Sequence, residues 1–168
     1  MTILSDKTIL DRLEEDLIIH PINKNDIQPC SIDLHLGREL KNLDGLTHDL
    51  KYCNFQLSPG EFLLASTLEH VEIPDDLVGI VEGKSSIGRL GIIIHVTAGY
   101  IDAGFKGNIT LEIANLSSKT FQLQYNMSIC QIIFQTLTTP VQRPYGTQGL
   151  NSKYQNSKGT ILSRRNKI

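Results

Sequence analysis

Residues 99–115 read GYIDAGFKGNITLEIAN. GYIDAGFKGN is turn-like, and ITLEIAN alternates. Ile109, Leu111 and Ile113 fall on one side; Thr110, Glu112 and Ala114 fall on the other. An alternating pattern of this kind is a half-buried strand of an antiparallel sheet. One carboxylate, Glu112, stands in its middle. Such a glutamate is most often a wet-face residue, and the pattern alone leaves a chemical role open.

Reading outward, β signals dominate. SIDLHLG alternates, with Ile32, Leu34 and Leu36 on one face and Asp33 and His35 on the other. LIIHPI is a short apolar run stopped by Pro21. LSPGEFLLAS is a turn followed by a strand, and HVEIPDDLVGIVEG is strand, Pro-Asp turn, strand. GIIIHVTAG is a continuous apolar, β-branched run that predicts a buried strand. TFQLQYN and SICQIIFQTL close the series. The one good helix runs from Ser5 to about residue 16, with Ser5 or Asp6 as cap and Ile9, Leu10 and Leu13 at helical spacing. Turns punctuate these runs at short intervals, as in an all-β barrel or sandwich, and no βαβ rhythm appears. Beyond Pro144 the chain becomes polar and rich in Gly, Ser and Asn. Composition favours a disordered tail there, against a lid that orders over a ligand.

The 168 residues fit one domain. The net charge of −2 does not suggest a general nucleic-acid binder, and the basic SRRNKI end reads as a solvated, frayed terminus. Cys30, Cys53 and Cys130 are widely spaced without a CxxC pair, so neither a disulfide framework nor a zinc site is indicated. MTILSDKTIL lacks an apolar signal core, and no run approaches the ~18 apolar residues of a membrane span. The default expectation is a cytoplasmic protein.

Two groups of polar residues carry candidate chemistry. EGKSSIGRLG, residues 82–91, gathers Lys84, Ser85, Ser86 and Arg89, with Gly83 and Gly88 relieving the backbone. Hydroxyls, cations and amides in one loop suit a phosphate, although the order is not that of a P-loop. The alternative is a solvated turn with a helix cap at Ser85 or Ser86. The second group is Glu112 with Asp102, which otherwise reads as an Asx-turn residue. His70-Val71-Glu72 has the H-x-E spacing of zinc deaminases, but the Pro-Cys-x-x-Cys that would complete their metal site is missing and HVEI reads as a strand end. No Ser sits in a G-x-S-x-G elbow.

Taken together, EGKSSIGRLG, HVTAGYIDAGFKGNITLEIAN, RPYG and SKYQNSKGTILSR resemble the dCTP deaminases of the trimeric dUTPase superfamily. The resemblance runs from ILSDKTI through IQPCSIDLHLG to the C-terminal motif and covers nearly the whole chain. Each piece alone is weak; the combination is specific. It implies a distorted β-barrel of the dUTPase-like β-clip type, with a short N-terminal helix and a flexible C-terminal lid from about residue 145. It also implies a homotrimer with active sites at the subunit interfaces, a zinc-free deamination, and Mg²⁺ accompanying the triphosphate of dCTP or dUTP. Glu112 would be the general acid/base, Ser85 and the Ala98 carbonyl would hold the water, and Arg89 would tune Glu112. Lys84, Ser86 and Arg89, with Ile87 and Gly88, match the phosphate loop. Val96 and Thr97 would line the base, Asp102 would lie near the 3′-hydroxyl, and Phe105 belongs to the same turn. Thr110 and Leu111, which immediately precede Glu112, would be further substrate contacts. Gln131, Tyr145 and Lys153 match phosphate-end contacts. The chain departs from the family at Ser157, where a Gln is usual, and Gln155 stands nearby as a substitute.

Two family activities differ at one place. Monofunctional members, which release dUTP, follow the Thr-Ala pair with His-Arg. Bifunctional members, which also cleave the α–β phosphate link and release dUMP and diphosphate, follow it with Gly and an aromatic residue. Thr97-Ala98-Gly99-Tyr100 resembles the bifunctional set, although Tyr replaces the usual Phe or Trp. Gly99 would leave room for a water near the α-phosphate, and Asp102 would orient it. The rivals are a monofunctional deaminase, a plain dUTPase, and a silent nucleotide-binding trimer. A dUTPase usually carries an apolar residue where Glu112 stands and ends in a Gly-rich arm.

Overall fold

The computed structural model describes residues 2–165. Helix α1 spans Asp6–Glu15 and begins where the Ser5 hydroxyl accepts the Thr8 N–H. Its apolar stripe buries Ile9 completely. Strands follow as β1 (Ile18–His20), β2 (Ile27–Gln28), β3 (Ser31–His35), β4 (Glu39–Lys41), β5 (Thr47–Asp49), β6 (Phe55–Leu57), β7 (Phe62–Glu72) and β8 (Leu77–Gly83). A single turn of helix, α2 (Ser85–Gly88), leads to β9 (Ile92–Ile94), β10 (Tyr100–Ile101), β11 (Lys106–Asn115), β12 (Phe121–Leu123) and β13 (Ser128–Thr136).

The architecture is all-β and antiparallel. One sheet runs β5-β4-β7-β11-β9, with β1 also on β7; a second runs β10-β8-β13-β3-β2; β12 and β6 form a small ribbon. The expected barrel is not a closed ring of strands. The chain leaves the first sheet after β9 and enters the second at β10, and a lone Leu36–Thr67 bridge joins β3's end to β7. Bulges between Asn108 and Thr110 and between Ser128 and Cys130 bend the long strands around the core.

That core lies between the two large sheets. Strand β11 contributes Leu111 and Ile113, β3 contributes Ile32 and Leu34, and β13 contributes Ile132 and Phe134, all without solvent exposure. Each such side chain stabilises the fold by about 1.5–3 kcal/mol relative to an exposed one. The strict alternation of β11 leaves Thr110, Glu112 and Ala114 half-buried on the other face.

The run GIIIHVTAG is only partly a strand. Pairing of β9 with β11 stops at the Ile94–Ile113 pair. The next ladder donor, the Glu112 N–H, goes to the His95 ring instead, at 2.9 Å. The backbone then peels away through Ala98, which adopts a positive φ of 58°.

Residues 145–161 are packed back along β11. Asn156 N–H donates to the Lys106 carbonyl and Asn108 N–H donates to the Ser157 carbonyl, both in parallel register. The Gln155 amide donates to the carbonyls of Gly104 (2.8 Å) and Tyr145 (2.9 Å), and its oxygen accepts the Lys106 N–H. Further on, the Thr160 hydroxyl donates to the Glu39 carbonyl and the Ile161 N–H donates to the Thr110 hydroxyl. No helix among the described residues is long and apolar enough to cross a membrane.

Candidate active site

Glu112 sits where β11 passes beneath the loop after β9. Its Oε2 accepts the Thr97 N–H at 2.8 Å and the Thr97 hydroxyl at 3.2 Å. Its Oε1 has no hydrogen-bond partner among the described residues, and 27% of the side chain remains exposed. One oxygen is therefore fixed and the other is open to a small molecule.

The nearest titratable neighbour is His95, whose side chain is only 6% exposed. Because Nδ1 accepts the Glu112 N–H, the ring proton belongs on Nε2, which lies 4.0 Å from Glu112 Oε2. Burial lowers the His95 pKa below the ordinary imidazole value, partly offset by the Glu112 charge. The sequence shows His95 only as the polar end of an isoleucine run, so nothing in its spacing marks it out.

A cavity of about 640 Å³ opens over these groups. Its lining includes Glu112, His95, Ala98, Tyr100, Asp102 and Thr110. Phe105, Tyr145 and Ser157 also reach it. Apolar walls come from Leu43 at the β4–β5 turn and from Phe62 and Leu64 of β7, none of which carries a sequence signal of its own. Asp102 is not an Asx turn. Its backbone carbonyl accepts the Phe105 N–H, while its exposed carboxylate holds no hydrogen bond among the described residues.

The remaining predicted residues separate into groups. Leu111 points away from Glu112 into the core, and Ile87 is likewise buried. Val96, expected to line the base, is exposed and outside the lining of the Glu112 cavity. Ser85, Ser86, Gly88 and Arg89 are exposed on α2 and its end, outside the lining of the Glu112 cavity. Arg89 makes no ion pair among the described residues. Neither serine caps α2; Lys84 occupies the N-cap position without a side-chain cap bond. The Lys84 ammonium is tied to Asp33 and to the Ser128 hydroxyl. Gln131 accepts from Ser31 at 3.0 Å. Ser157 is buried against Gly107, its hydroxyl donating to the Tyr154 carbonyl. Gln155 is fully occupied in holding Tyr145 and the Gly104 turn.

Gly99 has a packing reason. A Cβ there would lie 2.6 Å from the Val81 carbonyl oxygen, which no real side chain tolerates. Likewise, His70 and Glu72 share one face of β7, 3.1 Å apart, and Lys106 completes an ionic ladder with Glu72 at 2.6 Å. Val71 between them is buried in the core.

A family model described as dCTP deaminase-like matches residues 3–137. The chain belongs to the dCTP deaminase-like family. A relative from Methanosphaera stadtmanae, "dCTP deaminase, dUMP-forming", is 45% identical over 98% of this chain and 94% of its own. One of the same description from Methanothermobacter thermautotrophicus is 45% identical over 92% of this chain and 89% of its own. One from Halorubrum lacusprofundi, described as "dCTP deaminase", is 42% identical over 96% and 90%.

Among solved structures, the 2'-deoxycytidine 5'-triphosphate deaminase of Agrobacterium tumefaciens matches with a TM-score of 0.69 at 24% identity. The match covers 80% of this chain and 48% of that one, so this chain spans about half the length of the Agrobacterium deaminase. The EIAV dUTPase matches with a TM-score of 0.56 at 19% identity over 79% and 98% of the two chains. At these identities the structures show the shared fold. The dCTP deaminase-like family thus accounts for both the β architecture and the motifs around Glu112.

Proposed function

We propose that this chain deaminates dCTP and cleaves the α–β phosphate link, giving dUMP, ammonia and diphosphate. The observation that carries the reading is the Glu112 carboxylate, with one oxygen pinned by Thr97 and the other open in a cavity of nucleotide dimensions. The dUMP-forming relatives support the same reading.

In this reading a water lies between Glu112 Oε1 and C4 of the cytosine ring. Glu112 takes a proton as the water oxygen bonds to C4, and delivers it to N3. The remaining hydroxyl proton passes by Glu112 to the exocyclic nitrogen, the C4–N bond breaks, and ammonia leaves a uracil carbonyl behind. His95, whose Nδ1 accepts the Glu112 N–H, would hold the strand at Glu112 in place and keep its Nε2–H on the carboxylate's side of the cavity. A second water, oriented by the uncommitted Asp102 carboxylate, attacks the α-phosphorus, and the bond to the bridging oxygen of the diphosphate breaks. Gly99 keeps this approach free of side-chain atoms.

Mg²⁺ belongs to the same proposal as a partner of the triphosphate. It would neutralise phosphate charge. Among the described residues no three His, Cys, Asp or Glu side chains converge as a ligand set, so phosphate oxygens would provide most of its coordination. The α2 loop supports an interfacial, homotrimeric site. Ser85, Ser86 and Arg89 are exposed and stand apart from their own chain's Glu112 cavity, as expected if they complete a neighbouring subunit's site. The docked C-terminal segment would act as the lid of this site, and the enzyme would work in the cytoplasm.

The test is to incubate the purified protein with dCTP and Mg²⁺, and in parallel with dUTP, and to separate the nucleotides by anion exchange. dUMP from dCTP with little free dUTP is the expected result. Accumulated dUTP would make the chain a monofunctional deaminase. Cleavage of dUTP without deamination would return Glu112 to the ordinary strand residues.

A further inference from the structure

Strand β7 is longer than its partner β11 at one point of their pairing. Asn108 pairs with His70 and Thr110 with Ser66, so Thr67, Leu68 and Glu69 of β7 stand opposite Ile109 alone. The bulge is bonded internally. The Thr67 hydroxyl accepts the Ile109 N–H at 3.0 Å and donates to the Glu69 carbonyl at 2.8 Å. The buried Glu69 carboxylate accepts the His35 N–H from the other large sheet. The carbonyls of Thr67, Leu68 and Glu69 converge on one side-chain nitrogen, Nδ2 of Asn108, at 3.3, 3.4 and 3.0 Å.

These carbonyls fix which way the Asn108 amide faces. Only its NH2 group can lie against three acceptors, so the amide oxygen must face away from them. There it accepts the Gly159 N–H at 3.2 Å. The Asn108 backbone N–H donates to the Ser157 carbonyl at 2.9 Å. Just before it, Gly107 has a φ of 143° and lies so near the segment that a Cβ there would be 2.7 Å from the Ser157 nitrogen. Asn108 thus holds residues 157 and 159 with its backbone and its side chain together. The Gln155 side chain, by contrast, reaches only Gly104, Tyr145 and Lys106. Asn108 itself lines the Glu112 cavity, as do Ser157, Ile161, Leu162 and Ser163 of the segment that it holds.

We propose that Asn108 is a positioning residue, which latches residues 157–163 over the Glu112 cavity while the β7 bulge aims its amide. In sequence Asn108 is only the end of the turn-like GYIDAGFKGN. Bulges that re-aim a side chain beside a reactive site are a recurrent use of the irregularity. With the segment docked, the cavity wall is in place before the nucleotide arrives. With the latch gone, part of the binding energy goes into ordering the wall, so affinity falls. Asn108 acts through the segment, and its loss is felt in KM more than in kcat. For the substrate the inference rests on the proposed dCTP reaction; for the latch it rests on these hydrogen bonds alone.

The experiment compares the full chain with Asn108→Ala, which removes both ends of the amide, and Asn108→Asp, which keeps the acceptor for Gly159 but sets an oxygen against the bulge carbonyls. Amide hydrogen exchange is followed at Gly159, Thr160 and Ile161, whose N–H groups are bonded to Asn108, Glu39 and Thr110, and at Leu111 and Ile113 in the core. Steady-state rates are measured with dCTP and dUTP. In both variants exchange at 159–161 should quicken about tenfold, the scale of one lost hydrogen bond. Exchange at 111 and 113 should change less. KM for both nucleotides should rise by a similar factor while kcat changes less. Parental exchange at 159–161 in Asn108→Ala would overturn the latch. Parental exchange and KM in Asn108→Asp alone would show that the bulge does not aim the amide. Equal acceleration at 111 and 113 would reduce Asn108 to a part of the core, and faster exchange at 159–161 with unchanged KM would overturn the positioning of substrate. A parent that turns over neither nucleotide would sink the proposed reaction, and the exchange rates would still decide the latch.

Discussion

Strand β11 and the segment that lies along it, residues 145–161, are in contact yet ordered by different means. In β11 every second residue is buried, so position follows from hydrophobic alternation. In the segment only Ser157 and Thr160 are buried within residues 145–161, both polar, and order comes from side chains that staple backbone groups. The first kind of order is distributed over many weak contacts and is robust. The second depends on a few donors and acceptors, each of which is worth something only in its place.

The largest effect should come from separating chemistry from structure within β11. Glu112→Gln keeps the shape and removes the carboxylate to which the proposed reaction assigns proton transfer. Ammonia release from dCTP should fall by about 10²–10⁴-fold, while nucleotide binding measured by calorimetry survives. A variant that still deaminates at the parental rate would end the assignment of Glu112. The neighbouring residue makes the opposite case. Leu111→Ala empties a fully buried position and should lower stability by about 2–5 kcal/mol, read as a drop in denaturation midpoint, with catalysis per folded molecule little changed.

Breaking the staples tests the other region. Gln155→Ala removes the hydrogen bonds to Gly104, Tyr145 and Lys106 together. The expected cost is about 1–3 kcal/mol, confined to the segment. Limited proteolysis should cut between residues 145 and 161 much faster, while the global melting temperature moves less than in Leu111→Ala. Equal loss of global stability would show that the segment is part of the core's cooperative unit.

The smallest effect is in pH. Burial holds the folded His95 pKa below its ordinary value of 6.5. The unfolded chain therefore takes up a proton near 6.5 that the folded chain refuses until lower pH. This contribution is complete above 6.5 and is lost as pH falls through and below it. His95→Gln should flatten that part of the stability-versus-pH curve in denaturant titrations, and an unchanged slope would mean that His95 titrates normally.

These contrasts also explain what was legible from residues alone. The helix cap at Ser5, the alternation of β3 and β11, and the all-β class are encoded locally and were readable. The distorted β-barrel class was readable too; that its sheets do not close into a ring was not, because closure depends on where pairing stops. At β9 pairing stops where one imidazole takes a backbone N–H from seventeen positions down the chain. The pairing of Lys84 with Asp33 joins residues distant in sequence, and no local pattern announces it. Composition misread residues 145–161 for a related reason. Gly, Ser, Asn and Gln are the residues of disorder, but the same groups satisfy backbone partners when a sheet edge is within reach.

The close approach of position 99 to the Val81 carbonyl has a bearing on ancestry. If glycine there is demanded by a neighbouring strand, then the identity of residue 99 in any relative reports first on how near that strand runs. Any side chain at position 99 would require β8 to give way at Val81, so a substitution there is felt beyond its own residue.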